Sequence, residues 1–322
     1  MLTPKQNFFN YINGKDYEWI PCSLDQQFFD PEIVPENIAR GCVMQKNRYD
    51  REKYGGKDWF GVDWVFDPNA AGMGGSIEVA PLMDDINDWK DIVVFPDLSK
   101  LDWETSAKEN EDWLDQDKVI TSTIYTGFFE RLISFIGFSD ALVALVDEDT
   151  VDSVKELFDK LADFYTEVAR YMNKYYGTSM IYIHDDWGSQ RCPLFSNATV
   201  EEMIAPYLDK FAVNCNEMGI LVELHSCGNI EKLMPELINT HVTTWRGQNI
   251  NDKKMLVEKY GDKFTFKVMV TEDLKDGFDE SIEKATKLYE EYKGKKVMFD
   301  YPRWIKPDKL GELAAFARSH TL

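Results

Sequence analysis

From about residue 118 to the end, the chain alternates strand-like and helix-like segments with short connections. No other feature restricts the fold so much. Strands joined through helices run parallel and are covered by those helices. Short apolar and β-branched runs predict strands over 118–125, 179–185, 221–227, 242–247, 264–270 and 296–301. Between them the period lengthens to 3.6. The strongest helix covers 151–172, with Val151, Val154, Leu157, Phe158, Leu161, Tyr165, Val168 and Met172 on one face. Another runs from Val200, opened by Thr199 and Glu202 at capping-box spacing and stopped at Gly219. Further helices are expected to about Leu237, to Tyr260, over 280–292 and over 307–320. An early strand near 20–24 brings the count to about seven. A closed barrel has eight, so the expectation is an α/β fold of the (β/α)8 TIM-barrel type with one strand hidden from the pattern. A doubly wound open sheet is the alternative, but no Gly-rich phosphate loop follows any strand.

Residues 1–105 read differently. They carry Gly and Pro clusters and strand candidates at 62–66 and 76–79, which predicts an irregular cap with a hairpin. The whole chain, 1–322, is read as one barrel domain, with 106–322 as its main part. The Gly-rich stretch 72–75 is a candidate lid. With 44% hydrophobic residues the core can be large. A net charge of −21 argues against nucleic acid or an anionic membrane as a partner. No run is apolar for the length of a membrane span, and the first residues lack the apolar core of a signal peptide. The five cysteines are odd in number and widely spaced, which fits a reducing cytoplasm rather than a disulfide scaffold.

In barrels, chemistry sits at the C-terminal ends of the strands. Alternation along 221–227 sends Glu223, His225 and Cys227 to one face. A carboxylate, an imidazole and a thiol aimed into a barrel are costly to bury unless paired or bound to metal. His and Cys two apart on a strand can reach one zinc ion. The bland alternative is a hydrogen-bonded core histidine beside an inert cysteine. On 179–186 the same alternation aligns Tyr182, His184 and Asp186. That suits a ligand pocket, or else an Asx-rich turn before the next helix. Tyr125, Trp245 to Asn249, and Phe299 to Arg303 mark the other strand ends.

Several segments together resemble the uroporphyrinogen decarboxylase superfamily. They are 78–85, 95–98, 128–131, 184–190, 224–229 and 248–252, within a resemblance spanning roughly residues 60–305. The most specific is H-x-C-G-N at His225, Cys227, Gly228 and Asn229. The resemblance implies a distorted (β/α)8 barrel. The decarboxylases carry an Arg-rich R-Q-A-G-R-Y element near the N-terminus. Residues 20–27 here contain no arginine, so porphyrinogen decarboxylation is not expected. The other branch, the corrinoid-dependent methyltransferases, holds zinc with H-x-C and a later cysteine. His225 and Cys227 match the first two ligands, but no cysteine follows Cys227. Asp300 stands on the last strand instead, and Asp300, Glu223 or Gln248 is expected to complete the site. Oxygen ligands leave zinc more electrophilic, which suits polarising an ether oxygen.

The resemblance therefore implies a zinc-dependent methyltransferase of the O-demethylase type, moving methyl from a methoxylated aromatic to a corrinoid. No D-x-H-x-x-G pattern occurs, so the corrinoid is expected on a separate partner protein. His184, Asp186 and Tyr125 are the candidate catalytic residues. Trp187, Gln190, Trp245 and Gln248 are the candidate substrate contacts, and Glu223, His225, Cys227 and Asp300 the candidate metal ligands. The alternatives are methyl transfer from corrinoid to a thiol or pterin, and a metal-free decarboxylase-like or ligand-binding barrel.

Overall fold

A computed structural model describes residues 1–70, 75–273, 275–302 and 306–320. Its strands, in chain order, are β1 (Gln26–Phe28), β2 (Gly56–Lys57), β3 (Asp63–Asp67), β4 (Gly75–Glu78), β5 (Val119–Ile124), β6 (Met180–His184), β7 (Leu221–Ser226), β8 (Thr244–Gly247), β9 (Thr265–Met269) and β10 (Val297–Asp300). Seven of them form one parallel sheet in the order β1-β5-β6-β7-β8-β9-β10. A parallel bridge from Cys22 to Phe299 brings β10 back to the segment just before β1. There the Phe299 N–H donates to the Pro21 carbonyl (3.3 Å) and the Tyr301 N–H to Ser23 Oγ (2.8 Å). The sheet thus curls round into a TIM-type barrel, as the alternation predicts.

The early strand lies later than expected. Asp25 folds back to accept the Cys22 N–H at 3.0 Å, so Ser23–Asp25 is a 3-10 turn and pairing with β5 starts at Gln26. Among the described residues there is no eighth barrel strand; the short 20–25 segment fills that gap. The helix expected from Val200 starts earlier, at Asn197, because Ser196 Oγ accepts the Thr199 N–H at 3.1 Å. It continues through a π turn and ends at Glu217, before Gly219 at φ +75°. Helix Phe128–Ile136 was not among the periodic segments read from the sequence. The longest helix, Val151–Tyr176, ends on left-handed Gly177. Among the described residues no helix is long and apolar enough to cross a membrane.

The barrel interior is layered. At its N-terminal end Val119, Met180, Leu221 and Met298 meet Phe8 and Tyr11 of helix Pro4–Ile12, which plugs the bottom. Burying each of those two aromatics contributes about 2–3 kcal/mol. One layer up the filling is polar. Lys267 Nζ lies 2.8 Å from Glu223 Oε2 and donates to Gln26 Oε1 at 2.6 Å, and Gln26 Nε2 reaches Thr121 Oγ1 at 3.1 Å. Lys267 and Glu223 are fully enclosed, which is tolerable only because each satisfies the other.

The cap contains the expected hairpin, as an antiparallel sheet of β2, β3 and β4. It is pinned to the barrel by charge. Arg131, on helix Phe128–Ile136, pairs with Glu36 (2.8 Å) and Asp58 (2.5 Å), all three buried. Asp58 also accepts the N–H groups of Phe60 and Val62 and the Trp64 indole N–H. Residues 72–74 of the candidate lid lie outside the described residues.

Candidate metal centre

β6 and β7 are neighbours, and their register sets His184 beside His225. Side chains two residues apart share a face, so Asp186 follows His184 and Cys227 follows His225 into the barrel mouth. One ligand atom from each of the four lies within 4.8 Å of all the others. The imidazoles stack with centroids 4.9 Å apart. His225 Nε2 is 3.2 Å from Cys227 Sγ. Asp186 Oδ1 accepts the Cys227 N–H at 2.6 Å and stands 3.8 Å from His184 Nε2.

The surroundings hold these groups in place. His184 Nδ1 lies 2.9 Å from Glu130 Oε2, and Arg40 stands 3.9 Å from the same oxygen. Glu130 is positioned by Asp185, the residue between the two site residues of the β6 end. Asp185 points the other way and accepts the N–H groups of Phe129 (3.2 Å) and Glu130 (2.9 Å) at the start of helix Phe128–Ile136. These are orphan donors that a helix start must satisfy. A Cβ on Gly127 would collide with Asp185, so only glycine lets the helix approach this closely. The β6 and β7 loops meet backbone to backbone. Gly228 takes φ +78°, and a Cβ there would run into the Gly188 carbonyl. Asn251 locks the β7 loop by donating to the Gly228 carbonyl (2.9 Å) and accepting the Ile230 N–H (2.8 Å).

Electrostatics separates the two histidines. Burial alone would lower the His184 pKa, but Glu130, Cys227 and Asp186 outweigh it and hold it well above the usual histidine range. Burial, then the His184 and Arg246 charges, pushes His225 well below that range. Burial raises the Cys227 thiol and the Asp186 carboxyl, each partly offset by His184. Burial would raise Glu130, but His184 and Arg40 bring it below the usual glutamate range.

Two imidazoles, a carboxylate and a thiol converging this closely form a donor set that zinc accepts. Glu130 on Nδ1 leaves Nε2 of His184 facing the other donors, the carboxylate–histidine arrangement usual around zinc ligands. Of the four expected metal ligands, His225 and Cys227 come together here; Glu223 and Asp300 do not. Glu223 lies one inward position deeper and is held by Lys267, while Asp300 Oδ2 is 2.5 Å from Arg246 Nε. His184 and Asp186, expected in catalysis, are the other two members of the cluster.

Tyr125 donates to Asp30 at 3.2 Å, and burial, followed by Asp30 and Cys42, holds its proton well above the usual tyrosine range. Both expected tryptophan contacts are buried side chains. Trp187 donates its indole N–H to Asp185 (2.9 Å), and the Trp245 ring is covered by Lys253 Nζ at 3.3 Å from its centre. Gln248 supports the β7 loop by accepting the Gly228 N–H (2.8 Å), and Gln190 is exposed on the β6 loop. Sequence reasoning missed Glu130 as a partner of His184. It lies in one of the family-like segments, but nothing local announces where it points.

No family model matches the chain, and no curated protein matches it. Among solved structures, a methyltransferase from Methanosarcina mazei has the same fold: TM-score 0.69 at 16% identity, covering 99% of both chains. A sugar phosphate isomerase/epimerase from Parabacteroides distasonis covers 69% of this chain and 82% of its own at 10% identity, with a TM-score of only 0.34. A 3-keto-D-glucoside 4-epimerase from E. coli covers 73% and 85% at 12% identity, with a TM-score of 0.32.

Proposed function

We propose that this chain is a zinc-dependent methyltransferase. It moves a methyl group from an O-methyl donor, a methoxylated aromatic, to a corrinoid carried by a separate protein. The observation that carries this reading is the convergence of His184, Asp186, His225 and Cys227 at the barrel mouth. The whole-length likeness in fold to a protein named a methyltransferase supports it. So does the H-x-C-G-N element at His225 to Asn229.

When bound, zinc supplies Lewis acidity toward the ether oxygen. His184, Asp186, His225 and Cys227 would hold it, with burial and the neighbouring His184 and Arg246 charges keeping His225 neutral for ligation. Glu130 fixes the His184 ring so that Nε2 faces the site. With one thiolate among four donors, the centre is tuned toward oxygen rather than toward activating a second thiol. The reaction breaks the methyl C–O bond. The oxygen keeps the electron pair of the broken bond and leaves as a phenolate; a reduced corrinoid on the partner would supply the pair for the new bond to carbon.

The test incubates the zinc-loaded chain with methoxylated aromatics and reduced cobalamin as the acceptor. Cobalamin absorbance and release of the phenol are followed together. Phenol formed by the parent and abolished in Cys227→Ala supports the reading. A zinc-loaded chain that demethylates no methoxylated aromatic refutes it, and methyl passing from methylcobalamin to a thiol would establish the opposite direction instead.

A further inference from the structure

Arg246 is the register partner of His225 on the neighbouring strand β8. Its guanidinium carbon lies 5.8 Å from the centre of the Tyr182 ring. That ring is 5.7 Å from the His225 ring, at 24°. The guanidinium thus sits within the barrel one aromatic ring away from the metal cluster. Asp300 stands against Nε at 2.5 Å and fixes the charge there. Among the described residues neither η nitrogen makes a hydrogen bond, and neither is an enclosed orphan; the side chain is 15% exposed while Asp300 is 1% exposed. A cation held at one edge by a carboxylate, with its fork otherwise unused, matches a planar carboxylate in bidentate geometry. On the other side of the cluster the carboxylates Glu130 and Asp186 face His184, and Arg40 stands 3.9 Å from Glu130, so that side carries both signs.

We infer that the methyl donor carries a carboxylate, that Arg246 binds it, and that this sets the donor's methoxy end toward His184, Asp186, His225 and Cys227. The methoxy half of this statement rests on the methyl-transfer reading; the carboxylate half does not.

Calorimetric titration of the full, zinc-loaded chain with 4-methoxybenzoate and with neutral methoxybenzene tests it without any corrinoid. The parent is expected to prefer the benzoate, and Arg246→Met to lose about tenfold to a hundredfold in its affinity with methoxybenzene unchanged. Arg246→Met takes the Arg246 cation away from Asp300, so the double variant Arg246→Met/Asp300→Asn, which removes both charges, is measured beside it. Arg246→Lys should keep part of the preference, as charge without the fork. Absence of a preference in the parent, or a preference that survives in a folded Met variant, overturns the inference. The two readings fail separately. Arg246-dependent benzoate binding without any demethylation leaves this site standing and removes the methyl-transfer reading. Equal demethylation of neutral and anionic donors does the reverse.

Discussion

Replacing Glu130 with glutamine tests whether His184 belongs to the metal centre. The variant keeps the side-chain length and a possible hydrogen bond but removes the charge 2.9 Å from His184 Nδ1. Loss of such a partner to a ligating histidine weakens metal binding by about tenfold to a hundredfold, which is about 1.4–2.7 kcal/mol. A second effect opposes it. Glu130 helps hold the His184 pKa well above the usual histidine range, so in the parent zinc must displace a tightly held proton. In Glu130→Gln that proton leaves more easily. Near neutral pH the two effects partly cancel, and as pH rises the parent's proton penalty disappears. The affinity ratio of parent to variant should therefore grow from pH 7 to pH 9. Zinc competition against a chromophoric chelator, run across that range on protein shown folded by circular dichroism, measures it. A ratio of one throughout, with His184→Ala also binding zinc like the parent, would refute the assignment.

Four further outcomes follow from the packing. Glu223→Gln leaves Lys267 charged and enclosed and should cost about 3–5 kcal/mol in denaturant unfolding, while zinc content stays at the parent's level because Glu223 is outside the cluster. Arg131→Met strands Glu36 and Asp58 and should cost about as much; limited proteolysis should then cut first within residues 1–105. Gly228→Ala meets the Gly188 carbonyl at φ +78° and should cost about 2–4 kcal/mol together with zinc affinity. Gly219→Ala, at φ +75° with nothing within 4 Å, should cost only about 1 kcal/mol, both glycine variants being compared with the parent by denaturant unfolding.

The sequence carried the barrel well because its signal is periodic and local. Strands 118–125 to 296–301 fall within two residues of β5 to β10, and alternation correctly sent His225 and Cys227 inward together. The first strand was misplaced because a single acceptor, Asp25, turns the chain where apolar residues continue. The metal cluster was half legible. His184 and Asp186 have the same inward parity as His225 and Cys227, and adjacency of consecutive strands could have joined the two pairs into one site. Glu223 and Asp300 lie outside the cluster for a non-local reason. Their fates are decided by Lys267 and Arg246 on other strands, and no spacing rule reveals such partners. Trp187 and Trp245 looked like substrate contacts by residue type, yet Trp245 alternates outward from the barrel and Trp187 is tied down by Asp185.

Metal content tests the central claim most directly, measured on protein purified without chelator and again after zinc is restored. The account predicts about one zinc per chain in the parent, its loss in His225→Ala and Cys227→Ala, and its retention in Glu223→Gln and Asp300→Asn. No bound zinc in the parent even after restoration, or zinc that survives in both alanine variants, would contradict it.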